Sequence, residues 1–459
     1  MKPTRTNHCY DHKELLICIN RPMETWGVSF ADRDTKTLDS VIVNHPLTLD
    51  QEFQVAQKSD RILSLQIAGL QGFYWMIYCP IGSFASVYLL SRHFSNQQIG
   101  WVIAISNILA ILLQPLTGML LDRLPRLSLK LVMSLFSILS LLLLGGLFLL
   151  DAGLLVAAIL YIGILALMYT LQPLVTSITF QFINAGHDVS FGITRAAGSI
   201  LFAGLSTVLG FLVKSFSTGI LPLISVGLYV GFLLLVLSFP PLVAQQPAPG
   251  AGITARERGT HPLAAGFLRK YSRFIPFLLG IACLYLFHTI INLYLPQIIS
   301  PLGGRESDMG ISLTIAALCE LPAFFGFNYL AARINYRNLL KFSGLFYAIR
   351  SVIFLLAGSK LSINLGQVFQ GITFAIMLPA SVYYVNKLMS EEDRMKGQTF
   401  LTGTMTLGSL FGSVGGGWLL DHFNVQALLV FGVIGAVVGS LLLFYATGVI
   451  KKPAVAFQE

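Results

Sequence analysis

Four ionisable side chains sit inside long apolar stretches of this 459-residue chain: Arg195, His288, Glu320 and Arg350. A charge at mid-bilayer depth is costly, so such groups persist where they meet a partner or a water-filled passage. Glu320 is the carboxylate among them. Beside a guanidinium it could exchange a proton for an ion pair, with Arg350 as the expected counter-ion and His288 as a second titrating group. Arg195 opens the run Arg195-Ala-Ala-Gly-Ser-Ile-Leu-Phe202, and seven residues bring Phe202 back to the same helical face two turns on. A guanidinium fork beside a ring suits a polyol, since the fork bonds hydroxyl oxygens while the ring stacks on a C–H face. Gln172, Asn292, Gln367 and Gln370 are uncharged polar residues that could line the same cavity and would suit a neutral hydroxylated ligand. Each observation also has a plainer reading: a snorkelling Arg with a lipid-facing Phe, a permanent Glu320–Arg350 pair, a packed histidine, and hydrogen bonds that only join helices.

These groups need helices that cross a membrane, and the composition supplies them. The chain is 55% hydrophobic and 11% charged, with mean hydropathy +0.73, against about 25% charged residues in an ordinary soluble domain. Twelve stretches are long enough to cross about 30 Å of hydrocarbon as helices: 63–90, 98–121, 130–150, 153–180, 192–213, 219–242, 273–299, 309–331, 338–358, 361–388, 397–420 and 425–449. Ser95-Asn-Gln-Gln98 reads as a capping box before the second, and Gly408, Gly412 and Gly416 give the eleventh a smooth face for a neighbour. Residues 243–272 contain Gln-Gln-Pro-Ala-Pro-Gly-Ala-Gly and mixed charge, a composition that links rather than packs, so 63–242 and 273–450 form two six-helix bundles, followed by a tail at 451–459. Residues 1–62 are a hydrophilic extension without a cleavable signal pattern, expected to be disordered or to precede a true start at an internal residue such as Met23.

The net charge of +9 is topological. Lys and Arg crowd the even-numbered turns and the carboxyl tail, which places both termini in the cytoplasm of a multi-pass cell-membrane protein and excludes a nucleic-acid surface. Five scattered cysteines form no disulfide framework, and His8, Cys9, His12 and Cys18 match no zinc spacing, so no metal is expected. No nucleotide-binding loop is present and no cofactor is expected; the chain reads as a carrier acting as a monomer, not as an enzyme.

Between the second and third spans lies Gly118-Met-Leu-Leu-Asp122-Arg123-Leu-Pro-Arg126. Gly118 would let a helix approach closely, Asp122 would cap or pair across an interface, and Arg123 and Arg126 would hold the turn at the headgroups. This turn resembles the Gly-x-x-x-Asp-Arg-x-Gly-Arg loop of the major facilitator superfamily, with Pro125 in place of the second Gly. The resemblance implies an all-α fold of twelve transmembrane helices in two pseudo-symmetric bundles, with Gly118, Asp122, Arg123 and Arg126 as gating residues. The second half carries a degenerate copy at Asn335-Tyr-Arg337, with Ala332 where the acid would stand.

Within that superfamily the spacing around Arg195 is similar to the lactose permease and oligosaccharide:proton symporter branch, in which this helix supplies a sugar-binding Arg and, seven residues on, a stacking Trp; Phe202 stands there in this chain. Ile99-Gly-Trp-Val-Ile-Ala-Ile-Ser through Gln114-Pro-Leu-Thr-Gly118 resembles the same branch, and Glu320 and Arg350 match its acid in helix 8 and its Arg in helix 9. The departures are Ser177, Gln370, Thr373 and Met405, where the branch carries ionisable residues, and His288 in place of an acid. The resemblance implies a transporter that imports a sugar or oligosaccharide with a proton by rocker-switch alternating access. Arg195, Phe202, Gln172, Asn292 and Gln370 would bind solute, and Glu320, Arg350 and His288 would couple it. A nucleoside:proton symporter and an efflux antiporter for amphipathic drugs remain as alternatives; the latter's expected Gly-Pro dipeptide is missing from the fifth span. A signalling protein that has lost transport is a third.

Overall fold

The computed structural model of the protein describes residues 8–12, 15–20, 27–31, 38–39, 49–124, 127–149, 153–239 and 270–448. It divides into two units, Met1–Ile62 and Leu63–Glu459. Arg126, Pro125, nearly all of the expected linker and the carboxyl tail lie outside the described residues. In the first unit, His8–His12 (β1), Leu15–Asn20 (β2), Gly27–Ala31 (β3) and Leu38–Asp39 (β4) form an antiparallel sheet in chain order, with Cys9 opposite Cys18 and Ile17 opposite Phe30.

The second unit is all helix. Its elements are the part of α1 (Leu49–Tyr78) from Leu63 onward, continued by a π-helical turn at Cys79–Ser83 into α2 (Ala85–Ser91), then α3 (Asn96–Arg123), α4 (Leu129–Leu149), α5 (Leu154–Asn184), α6 (Phe191–Phe216) and α7 (Ile220–Ser238). The second half holds α8 (Phe274–Leu293), α9 (Leu295–Ile299), α10 (Glu306–Arg333), α11 (Tyr336–Leu355), α12 (Lys360–Val368), α13 (Phe374–Leu388), α14 (Glu391–His422) and α15 (Val425–Ala446). Among the described residues, ten helices are long and apolar enough to cross a membrane. The other two of the twelve expected spans differ for visible reasons. The tenth is interrupted between Val368 and Phe374 and so becomes α12 and α13. The eleventh, α14, has Glu391, Glu392, Asp393, Arg394 and Lys396 in its first two turns and Gly and Thr thereafter, which lowers its apolarity.

The outer surface is what lipid requires: Leu142, Leu155, Leu234 and Ile434 are exposed large apolar residues on helices of both halves. The capping box predicted at Ser95 is formed, with the Gln98 N–H donating to Ser95 Oγ at 3.2 Å and the Ser95 N–H donating to Gln98 Oε1 at 2.9 Å. The glycine face of α14 also works as its spacing predicts. A Cβ at Gly412 would meet the Leu286 carbonyl at 2.6 Å, one at Gly408 would strike the Ala282 carbonyl, and one at Gly416 the Tyr294 ring at 2.8 Å, so α14 lies flush on α8.

The two halves meet along a seam at one end. There Gly100 of α3 abuts the Ser413 carbonyl of α14, Gly417 abuts the Asn96 carbonyl, Gly210 of α6 faces the Glu306 carbonyl of α10 at 2.6 Å, and Gly310 abuts the Ser206 carbonyl. Thr314 Oγ1 donates to the Ala203 carbonyl at 2.7 Å. Asp421, in the last turn of α14, accepts from the Asn96 N–H at 3.0 Å, Asn96 Nδ2 at 2.8 Å and the Gln97 N–H at 2.7 Å, so a carboxylate caps the amino end of α3 across the two halves. At the other end Gly118, Gly192, Gly326 and Gly403 have nothing within 4 Å. The close approach expected at Gly118 is therefore not made in this state, because the halves touch at the Asn96 end and part at the end richer in Lys and Arg. Asp122 and Arg123 are exposed there.

Candidate functional site

Glu320 occupies the middle of α10, and the chain around the break between α12 and α13 is built to reach it. A Cβ at Gly371 would strike the Cys319 carbonyl, so only glycine lets this backbone pass against α10, and the neighbouring Gln370 arrives beside the carboxylate. Gln370 Nε2 donates to Glu320 Oε1 at 3.0 Å. On its other side Gln370 Oε1 accepts from Arg350 Nη1, which also donates to Thr373 Oγ1 at 3.2 Å, while Arg350 Nη2 donates to Gln367 Oε1 at 2.8 Å. Arg350 is fully buried, and its guanidinium carbon stands 5.7 Å from the Phe354 ring. The expected direct Glu320–Arg350 pair is thus replaced by a bridge: acid, amide, guanidinium. The geometry also corrects the placement of Gln370 among solute-binding groups, since it is 3% exposed and both ends of its amide are used within the protein.

Arg195 lies one turn inside the amino end of α6. Its Nη1 donates to Ser199 Oγ at 3.0 Å, and its guanidinium carbon sits 4.1 Å from the Trp75 ring centroid in α1 and 5.7 Å from that of Phe324, one turn beyond Glu320 in α10. The ring on Arg195 is therefore Trp75 rather than the expected Phe202. Gly198 is the reason: a Cβ there would meet Trp75 Cδ1 at 2.6 Å, so glycine opens the space into which the indole swings. Phe202 joins the same aromatic group one step away, 6.3 Å from Tyr78, which is 5.5 Å from Trp75 and 6.5 Å from Tyr169. Two rings from opposite halves thus flank one guanidinium. The charges of Arg195 and Arg350 both act on Glu320.

His288 of α8 stacks on Phe374 at 4.3 Å and 10°, and lies 5.5 Å from Tyr285. Asn292 Nδ2 donates back to the His288 carbonyl at 2.8 Å, one turn away on the same helix. Gln172 of α5 is exposed. Among the described residues no group of three or more His, Cys, Asp or Glu gathers to hold a metal ion. A cavity of about 340 Å³ is lined by Ile298, Leu302, Phe354, Ile363, Val425 and Leu429, and meets the groups above only at the Phe354 ring beside Arg350.

Sequence reasoning missed Trp75, whose available signal was the aromatic cluster Tyr74-Trp75-x-x-Tyr78 in the first span. It also missed Gly371, a glycine beside two polar residues at the point where a span is interrupted. Gln367 and Thr373 were visible as polar residues, but not as ligands of Arg350.

The arrangement holds two guanidiniums and one carboxylate between two helical bundles that separate at one end, which is what a solute passage requires. Comparison with known proteins agrees. Maltose permease of Geobacillus stearothermophilus is 25% identical over 383 residues, covering 81% of this chain and 92% of the relative. An Escherichia coli protein provisionally named multidrug resistance protein MdtD is 27% identical over 162 residues, 34% of each chain. The crystal structure of a single-residue variant of the nucleoside transporter NupG superposes with a TM-score of 0.71 at 19% identity, covering 84% of this chain and 98% of that one. Because the model of the MFS_1 like family matches residues 67–431, the chain belongs to that family and is a transporter of the major facilitator superfamily.

Proposed function

We propose that the chain imports a small hydroxylated solute of the sugar class by proton symport, through alternating access of its two six-helix bundles. The observation that carries this reading is the position of Glu320, joined through Gln370 to Arg350 of its own half, on a helix whose next turn brings Phe324 to 5.7 Å from Arg195 of the opposite half. A carboxylate so placed can gain a proton only if its neighbours rearrange, and Arg195 belongs to the half that must move. Proton uptake on Glu320 removes the negative charge facing the opposite half and frees the bundles to rock, while the Arg195 guanidinium and the flanking rings take the solute. The similarity to maltose permease over most of both chains supports a sugar.

A nucleoside is the second reading, supported by the rings around Arg195, which would stack on a base as well as on a pyranose. An efflux antiporter has less support, since its relative covers a third of the chain and α6 contains no proline. The test is uptake of radiolabelled sugars and nucleosides into vesicles with an imposed pH step. Accumulation above the bath, abolished by a protonophore, is the expected result; accumulation that survives the protonophore overturns the coupling.

A further inference from the structure

Two fixed cations, Arg195 and Arg350, and one carboxylate, Glu320, stand away from the ends of the described spans. Both terminal nitrogens of Arg350 are taken up by Gln367, Gln370 and Thr373, and although its Nε is buried without a partner the side chain is fully enclosed, which shuts out an incoming ligand. Its charge is balanced through Gln370 by Glu320. Arg195 is different. It is half-buried, and its one hydrogen bond to a described residue is to the Ser199 hydroxyl; no ion pair to it is formed among the described residues. Asp60 stands at the start of the first membrane span, Asp122 at the end of α3 and Asp188 in the turn before α6, none of them at mid-span. His288 adds positive charge or none, and protonation of Glu320 only enlarges the excess, so in every protonation state the passage carries more positive charge than negative. A neutral ligand leaves that excess in a medium where an unpaired charge is costly. Of the glutamines whose neutrality would favour a neutral solute, Gln367 and Gln370 are already committed to Arg350.

We infer that the solute is a hydroxylated monoanion, a sugar acid whose carboxylate takes the free edge of the Arg195 fork while its ring lies against Trp75 or Phe324. Guanidinium and carboxylate match as two parallel N–H···O bonds, a geometry that a lone hydroxyl cannot complete. One proton carried with one anion makes the cycle electroneutral. The inference rests on the symport reading for its direction of transport, but the charge of the ligand is separable from it.

The experiment uses the full-length protein, purified in nanodiscs, and follows binding by isothermal titration calorimetry, a readout that does not depend on Trp75. D-Glucuronate is titrated against D-glucose and maltose at matched ionic strength. Glucuronate is expected to bind at least tenfold more tightly than either neutral sugar, with the discrimination lost in Arg195→Gln, partly kept in Arg195→Lys, and weakened in both ligand classes by Trp75→Ala. Equal or tighter binding of a neutral sugar, no binding of any of the three, or discrimination that survives Arg195→Gln overturns the inference. A pH-step uptake assay in vesicles separates the two readings. Concentration of a neutral sugar alone sinks the anion and leaves proton symport standing. Arg195-dependent binding of glucuronate without pH-driven accumulation sinks the symport and leaves the anion. With both correct, accumulation follows the pH step and is unchanged by an imposed membrane potential.

Discussion

Gln370 is the side chain through which the acid and the buried guanidinium communicate. An amide presents a donor at one end and an acceptor at the other, so it can face a carboxylate and a guanidinium at once, which neither ion could do for its own kind. Gln370→Leu keeps most of the volume and removes both contacts. A buried group left without its partner costs about 1–3 kcal/mol, more when it is charged. The expected outcome is a melting temperature lowered by several degrees and uptake reduced more than tenfold, with solute affinity changed less than threefold because Arg195 and Trp75 are untouched. Gln370→Glu is the control, since it restores an acceptor for Arg350 but places a second carboxyl beside Glu320. Affinity falling in parallel with uptake in Gln370→Leu would return Gln370 to the solute-binding set. At this scale the sequence was readable by residue type and unreadable by pairing. Arg195, Glu320 and Arg350 stand out because charge in an apolar span is expensive. That Gln370 intervenes, and that Trp75 rather than Phe202 meets Arg195, depends on two glycines, Gly371 and Gly198, whose effect is a contact between helices distant in sequence.

Among the elements, α14 carries the most varied duties, and its first turn is tied down by charge. Lys270 Nζ donates to Asp393 Oδ2 at 2.7 Å, Tyr271 Oη donates to the same oxygen at 3.0 Å, and Lys396 stands 3.4 Å from Oδ1. The Lys270 hydrogen bond, aided by those of Tyr271 and Lys396 and opposed by desolvation, holds the Asp393 carboxyl down to about 2. A carboxyl depressed on folding contributes stability above its unfolded value and loses it as pH falls through the folded value. The melting-temperature difference between the wild type and Asp393→Asn should therefore be constant above about pH 4 and shrink toward zero as pH approaches about 2. A difference that widens on acidification contradicts this. The apolar part of the element was legible at 397–420 with its three glycines, whereas the polar residues Glu391–Lys396 fell outside that span although they begin the same helix. The interrupted tenth span was read as one continuous stretch because a hydropathy window averages over Phe369–Thr373, where the backbone leaves the helix to reach α10.

Over the whole molecule, the twelve-span count, the two bundles and the polar interior could all be read from hydropathy and from where the charges fall. Which end is shut could not, because one sequence must support both states. The structure is shut at the Asn96 end, and Asp421 is the charged group that holds it. Hydrogen bonds to a charged group contribute about 1.5–3 kcal/mol each, so losing the set shifts the ratio of the two states on the order of a hundredfold or more. Spin labels introduced at His93 and His422, one in each half near this seam, should report a longer distance in Asp421→Ala than in the wild-type background, with the fold retained. An unchanged distance would assign the closure to the glycine contacts alone. Asp122 and Arg123 are exposed in this state.

The seam at Gly100, Gly210, Gly310 and Gly417 brings main chain against main chain. Such a shutter has no preference for what has just passed through it. The rings and the guanidinium proposed to meet cargo sit elsewhere, so substituting Trp75, Phe202 or Phe324 could redirect the carrier to a new passenger while the machinery that opens and shuts it is left as it is.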